Sequence, residues 1–315
     1  MLSAMGSRLN SKMYPEFCHL CGAVASIVPC GFRQVYPQKR CPPISVDWWE
    51  CERCRGWFAD PIPTSQEIER YWQTVPWNDP KYADEIAQGK DFLYSRLLEK
   101  MSCLTPTGSV LDLGCNFGHF LRRAAHAGWT PSGFEPNIVA AETARTSGFD
   151  VRSGWLLRDV DFAESYFAAV TVIDVLAFVW NPLETLQTTY RLLRPGGVIA
   201  MRISNKRLVL GLARALTAAG AARDARISTL LQGQFHSMGL NSLSRIMREI
   251  GFRAVRIQPN ATVAPWRATT WRTRIAYLGA NILYCSSRGT FNLSPGCLLF
   301  ANKEQQTNSL EANRF

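Results

Sequence analysis

The chain predicts an α/β fold: a doubly wound, mostly parallel sheet preceded by a small cysteine-bearing ribbon. Three observations carry this. Residues 110–120 read Val-Leu-Asp-Leu-Gly-Cys-Asn-Phe-Gly-His-Phe, an apolar run that stops at Gly114 and enters a helical pattern after Gly118. Apolar strands alternate with helical stretches from there onward, the order that builds a parallel sheet. Ahead of them, Cys18, Cys21, Cys51 and Cys54 form two C-x-x-C pairs.

The elements follow in order. Residues 1–13, MLSAMGSRLNSKM, have no apolar h-region and read as a disordered leader rather than an export signal. Residues 14–60 read as the ribbon, with strands at 45–50 and 56–59. A glycine stands just after each pair, Gly22 and Gly56, so that backbone N–H groups can turn toward sulfur. Four thiolates at this spacing suit tetrahedral Zn²⁺, and the metal supplies stability that so small a core lacks. His19, between two ligands, is expected to point away from the metal. Cys30 and Cys41 read as loop residues between the pairs. Cys103, Cys115, Cys285 and Cys297 read as core or turn residues.

Residues 61–108 read as a linker and two helices. Thr64 or Ser65 caps the first, through 67–72, and the second spans 83–103. Seven strands follow, at 109–113, 131–135, 149–152, 169–174, 197–203, 252–258 and 296–302. A helix starts near Asn181-Pro182, and Pro195-Gly196-Gly197 reads as a turn. The stretch 205–233 is an insertion with an apolar and basic helix at 208–222. An amphipathic helix after Asn241 ends at a Gly251 cap. A second insertion covers 260–295, and 304–315 is a flexible tail.

Composition bounds the function. With 315 residues there is room for one full α/β domain and an appendage, and 47% hydrophobic residues exclude wholesale disorder. No uninterrupted apolar run reaches about 18 residues, so no transmembrane helix is expected. Without an export signal the chain reads as cytoplasmic, and its ten cysteines are not a disulfide framework. A net charge of +10 suits polyanions, anionic headgroups or nucleotide-linked substrates without choosing among them. The arginines are spread out and no RNA-binding module is visible, which argues against nucleic acid.

The glycine turn lets a small molecule touch backbone, and the helix behind it offers free N–H groups. Glu135 ends the next strand about 20 residues on, the distance at which an acid takes the ribose hydroxyls of a nucleoside. Dehydrogenases share that much. In combination and order, however, VLDLGCNFGHF, GFEP (133–136), VIDVL (172–176) and LLRPGGVIAMR (192–202) resemble the class I S-adenosylmethionine-dependent methyltransferases, over residues 90–305.

The resemblance implies a Rossmann-like seven-stranded methyltransferase sheet over 109–303, with S-adenosylmethionine as cofactor. It implies that Asp112 organises the turn and that Gly114, Cys115 and Asn116 lie against the cofactor. The helix after Gly118 would face its carboxylate. Glu135, followed by Pro136, would take the ribose, Trp155 would border the adenine, and Asp174 and Val175 would flank the methionine portion. Two departures stand out. Asn116 replaces the middle glycine, and Asn is the next-best residue for a left-handed backbone. Where many relatives have Leu-Glu-His-Val, this chain has Leu176-Ala177-Phe178-Val179. The ribbon, its Asp60-Pro61-Ile62-Pro63-Thr64 linker and Tyr71-Trp72 resemble the start of bacterial methyltransferases acting on sugars, polysaccharides and natural products. In those proteins the aromatic region helps cover the cofactor site. His236 and the helix after it match a histidine-bearing signature of the same group.

An alcohol acceptor must lose its proton as the methyl arrives, and an imidazole suits that task. His19 belongs to the ribbon, His126 to a helix surface and His119 to the glycine turn. His236 is therefore the candidate base or acceptor-binding group, against a plainer structural role. The reading is O-methylation of a small-molecule, sugar or glycan acceptor. The alternatives are C-methylation of a nucleotide-linked sugar, methylation of RNA, and a catalytically inactive cofactor-binding regulator, which Ala177-Phe178 keeps open. Residues 265–286 carry Trp266, Trp271, Tyr277 and Ile282 among Arg267, Arg272 and Arg274. They read either as a helix packed on the core or a dimer, or as an interfacial helix on an anionic membrane.

Overall fold

The computed structural model describes residues 15–24, 26–36, 44–64, 66–67, 80–154, 157–179, 181–206, 210–211, 215, 234–260, 271–288 and 292–305. Two sheets form among them. The larger has seven strands: β4 (Ser109–Leu113), β5 (Thr130–Phe134), β6 (Asp150–Arg152), β7 (Phe167–Ile173), β8 (Leu193–Ser204), β10 (Phe252–Pro259) and β11 (Gly296–Lys303), in the order β10-β11-β8-β7-β4-β5-β6. β4 pairs parallel with β5 and β7, while β11 runs antiparallel between β8 and β10. Every expected strand is present.

β7 is buried along its whole length, which is what a central strand covered on both faces requires. One face packs on α1 (Pro80–Leu104) and α2 (His119–His126) through Leu93, Leu97, Met101 and Phe120. The other receives α4 (Pro182–Leu192) and α5 (Leu240–Ile250) through Leu186, Leu243, Ile246 and Met247. α3 (Ile138–Thr146) closes the β5–β6 edge. Asn181 caps α4 by accepting from Glu184 N at 3.1 Å, and Gly251 ends α5, both as the sequence suggests. The Pro-Gly-Gly turn, by contrast, is a bulge inside β8. The β7 register passes from Phe167↔Leu193 to Ala169↔Val198 across it.

The second sheet is the ribbon: β1 (Ile27–Tyr36), β2 (Ile44–Cys51), β3 (Trp57–Asp60) and, far along the chain, β9 (His236–Ser237). Cys30 is not in a loop. It is a buried residue of β1, where Pro29 and Gly31 mark a register shift between Pro29 and Arg33 rather than the end of the strand. Nor are Cys103 and Cys285 core or turn residues: both are exposed on helices, because each falls on the solvent side of its helix.

β9 makes the ribbon part of the main body. His236 pairs with Phe58, Ala59 N donates to Phe235 O at 2.9 Å, and Tyr36 Oη donates to Gln234 O at 2.7 Å. Leu20, Trp49 and Phe58 of the ribbon share one buried cluster with Leu186, Leu243 and Met247. α6 (Trp271–Ser286) packs on β10, where Tyr284 Oη donates to Ile257 O at 3.0 Å. Thr64 and Glu67 form a capping box: Thr64 Oγ1 accepts from Glu67 N at 3.3 Å, and Glu67 Oε2 accepts from Thr64 N at 2.7 Å. The leader, Cys41, Tyr71-Trp72, most of 205–233, Trp266, Arg267 and residues 306–315 lie outside the described residues.

Candidate cofactor and acceptor site

The glycine turn leaves β4 at Gly114, whose φ of 73° is left-handed. A Cβ there would sit 2.5 Å from Val175 Cγ2, so only glycine lets this turn and the loop after β7 meet. Asn116 is also left-handed, at φ 50°, and its Oδ1 accepts from Phe117 N at 2.8 Å. Asparagine thus takes the place of the missing middle glycine, as its side chain permits. Cys115 contributes backbone only. Its side chain is buried among Leu121, Ala141, Ala144 and Val151, and burial pushes the thiol up. Gly118 is the N-cap of α2.

Glu135 follows β5 and joins two neighbours. Its Oε2 accepts from Asn116 N at 2.8 Å and its Oε1 from Asn137 N at 2.9 Å. Burial raises its carboxyl, opposed by those two bonds. Each oxygen keeps a further acceptor site for a hydroxyl. Asn137 in turn caps α3, accepting from Val139 N at 3.0 Å and Ala140 N at 3.2 Å. Pro136 between them is exposed. Trp155 lies outside the described residues.

Two aspartates stand at the strand ends with opposite electrostatics. Asp112 is buried in β4 and accepts from Thr171 Oγ1 at 2.6 Å. Burial pushes it up to about 7, against the Thr171 bond and the charge of Lys90. Asp174, just past β7, is left-handed at φ 63°. Burial pushes its carboxyl up too, but two cations outweigh that and hold it below the usual carboxylate range. Lys90 Nζ of α1 lies 3.0 Å from Oδ2, and Arg202 Nη1 of β8 donates to Oδ1. Sequence reasoning missed both cations. Arg202 carried a signal, since a charge inside the apolar run of β8 needs a partner. Lys90, on a helix full of charges, carried none.

His119 pairs with Asp84 Oδ1 at 2.6 Å, tying α2 to α1. His236 is buried in β9 with Nε2 2.9 Å from Val179 O. If Nε2 donates there, Nδ1 of the neutral ring holds the lone pair. His236 lines a cavity of ≈ 200 Å³ together with Asp174, Arg202, Ser204, Gln234 and Ser237, with Phe178 on its wall. The structure therefore brings His236 and Asp174 to one cavity. It places Gly114, Asn116 and Glu135 together at the neighbouring strand ends.

The four cysteine sulfurs lie within 4.8 Å of one another, with Cys18–Cys54 and Cys21–Cys51 each at 3.8 Å. Ligands about 2.3 Å from a tetrahedral metal are themselves about 3.8 Å apart, so the set fits zinc. Leu20 N donates to Cys18 Sγ at 3.4 Å, and backbone N–H groups of Ala23 and Gly56 reach Cys21 and Cys54. A Cβ at Gly56 would lie 2.3 Å from Leu20 Cδ1, which keeps that position small. His19 stays outside the set and meets Asp60 Oδ1 at 3.3 Å.

A family model described as a methyltransferase domain matches residues 84–257. No curated protein matches the chain. Among solved structures, phosphoethanolamine N-methyltransferase 2 of Haemonchus contortus, in complex with phosphomonomethylethanolamine and S-adenosylhomocysteine, is 15% identical with a TM-score of 0.52. The alignment covers 79% of this chain and 63% of that one, under two thirds of its length. A Thermotoga maritima S-adenosylmethionine-dependent methyltransferase, described as a possible histamine N-methyltransferase, is 16% identical with a TM-score of 0.46, covering 72% of this chain and 97% of that one. A Mesorhizobium loti S-adenosylmethionine-dependent methyltransferase is 17% identical with a TM-score of 0.46, covering 66% and 96%.

Proposed function

The chain belongs to this methyltransferase-domain family, and on that premise we propose that it transfers a methyl group from S-adenosylmethionine to a hydroxyl of a small-molecule, sugar or glycan acceptor. Bound at the ends of β4 and β5, S-adenosylmethionine supplies an electrophilic methyl on a sulfonium. The chain's part is to hold, orient and deprotonate. Glu135 takes the ribose hydroxyls while its bonds to Asn116 and Asn137 keep it fixed. Backbone at Gly114, Cys115 and Asn116 forms the floor, and Asp112 holds the turn from beneath. Asp174 and Val175 border the end that carries the methyl. Holding donor and acceptor in line then supplies most of the rate.

The observation that carries the acceptor half is His236, a buried imidazole in the wall of the cavity beside Asp174. Its Nδ1 accepts the acceptor's hydroxyl proton while Nε2 stays on the Val179 carbonyl. Zinc on Cys18, Cys21, Cys51 and Cys54 fixes the sheet whose last strand bears that histidine. The test is methyl transfer from labelled S-adenosylmethionine into pools of sugars, lipid-linked glycans and RNA. An O-methylated sugar or glycan is the expected product. Label in RNA, or on carbon, overturns the reading.

A second observation bears on where the acceptor is met. Among the described residues no helix is long and apolar enough to cross a membrane. On α6, however, Trp271, Ile275, Leu278 and Ile282 share one face at 66%, 60%, 58% and 60% exposure, while Tyr277 and Ala280 opposite are buried. Residues 271–288 include Arg272, Arg274 and Arg288 and no acidic residue. An exposed apolar stripe within a basic segment supports docking on an anionic lipid surface. The protein is expected to sediment with phosphatidylglycerol vesicles but not phosphatidylcholine ones, and Leu278→Glu should release it. Equal sedimentation with both vesicles would sink the docking.

A further inference from the structure

Three acids stand at the strand ends, and the chain treats one of them differently. Glu135 accepts from two backbone N–H groups, Asn116 N at 2.8 Å and Asn137 N at 2.9 Å. Asp174 meets two cations, Lys90 Nζ at 3.0 Å and Arg202 Nη1. Asp112 has neither. It is 3% exposed and lies on the face of β4 that α1 covers, since Val110 two residues earlier packs with Leu93 and Leu97. Thr171 Oγ1 donates to its Oδ1 at 2.6 Å, and that is its one hydrogen bond among the described residues.

The titratable groups that face Asp112 are Lys90 and Tyr94 of α1, Glu135 after β5 and Cys115 in the turn. Asp174, after β7, faces Tyr94 as well. Lys90, committed to Asp174, reaches Asp112 through its charge. A buried carboxylate needs a charged partner or several donors, and one neutral hydroxyl is not enough. Burial therefore outweighs Thr171 and Lys90, and the carboxyl rises to about 7.

The methionine end of S-adenosylmethionine carries the missing partner, an ammonium with three N–H donors. Gly114, two residues past Asp112, meets Val175 where that end is proposed to lie. If a proton leaves as this ammonium arrives, the net charge of the buried cluster stays constant.

We propose that Asp112 exchanges a proton for the cofactor's ammonium. The carboxyl is protonated while the site is empty. On binding, its O–H bond breaks and the proton passes to solvent, while the ammonium keeps its own hydrogens and pairs with the carboxylate. Cofactor uptake is thereby tied to pH near neutrality, and acid weakens it. This rests on the methyltransferase reading above and adds a regulation of its cofactor site.

Calorimetry of S-adenosylhomocysteine binding to the full chain tests this, run in paired buffers of unlike ionisation enthalpy. The difference in heat counts the protons. Close to one should leave per cofactor at pH 6 and about half of one at pH 7, and Kd should tighten about five-fold between them. Adenosine, which lacks the ammonium, should release none. Asp112→Asn should abolish the release and flatten Kd over this range. Thr171→Val removes the hydroxyl donor and should bring the release at pH 7 closer to one proton. It carries the test if Asp112→Asn fails to fold or to bind. Release that survives Asp112→Asn, that adenosine provokes equally, or that Thr171→Val leaves unmoved overturns the exchange. Binding without release at pH 6 overturns it too and leaves the methyltransferase reading standing. If S-adenosylhomocysteine itself does not bind, the methyltransferase reading falls and takes the exchange with it.

Discussion

The glycine turn and the cavity wall lie at neighbouring strand ends yet are built in different ways. At the turn, Gly114 N donates to Phe134 O, and Asn116 N and Asn137 N donate to the Glu135 carboxylate, all within a short stretch of chain. At the wall, His236 is placed by a strand pairing with Phe58 and by the carbonyls of Ala177 and Val179, three segments far apart in the chain. A site made of local contacts is fixed once two strands and two caps form. A site made of distant ones depends on the whole assembly, including the four-cysteine ribbon.

Removing the zinc proposed for the four cysteines tests the dependence most severely. Structural zinc in small fingers is worth about 10–16 kcal/mol. Chelation, or Cys18→Ser with Cys51→Ser, should release about one equivalent of zinc, with Zn–S distances of about 2.3 Å seen by X-ray absorption beforehand. Trp48 and Trp57, buried in the ribbon strands, should become exposed, with a red shift in fluorescence. Binding of S-adenosylhomocysteine should outlast methyl transfer during the titration. Simultaneous loss of both would mean that the turn, too, depends on the ribbon.

His236→Ala is expected to lower kcat by about 10²–10⁴-fold with cofactor affinity nearly constant, the usual loss for a general base. Full activity from pH 6 to 9 would assign His236 to strand placement alone. Glu135→Ala should weaken S-adenosylhomocysteine binding by roughly 1.5–3 kcal/mol, because it removes charged acceptors from the ribose. Calorimetry giving wild-type affinity would break the assignment of the turn.

The smallest effect concerns the two aspartates. Asp112 has its carboxyl raised from 3.8 to about 7, so the folded state holds that proton more tightly than the unfolded one. Its favourable share of stability is full below the ordinary value, shrinks as pH rises toward 7, and is absent above. Asp174 is lowered, so its stabilisation is full above the ordinary value and fades as pH falls through the folded one. Asp112→Asn should therefore raise stability at pH 8 by about 1–2 kcal/mol, allowing for a weaker Thr171 bond, and by little at pH 4. Urea melts at the two pH values measure it. A gain confined to pH 4 would reverse the sign.

Most of the sheet was legible because β4, β7, β11 and the middle of β8 are buried apolar runs, while the more polar β5, β6 and β10 were placed by the alternation of strands and helices around them. β4 fits its expected bounds, and β7 extends earlier only because Phe167 and Ala168 prolong the run. The turn was legible because its spacing is its mechanism. β1 was not, since Pro29 and Gly31 look like loop residues and become a bulge only when β2 pairs alongside. Nor was β9, two residues that are a strand only because β3 offers an edge. Lys90 and Arg202 became site residues by converging on Asp174 from a helix and a strand that spacing cannot bring together.

That borrowed edge has a consequence for the order of synthesis. β3 leaves the ribosome long before its partner: β9 follows roughly 175 residues later, on the order of 10–30 seconds at ordinary elongation rates. Throughout that interval β3 lacks its partner and leaves an open strand edge, the kind of template on which another chain can pair. A nascent chain stalled before Gln234 is accordingly the species expected to aggregate, and release of residues 234–237 is the event that caps it.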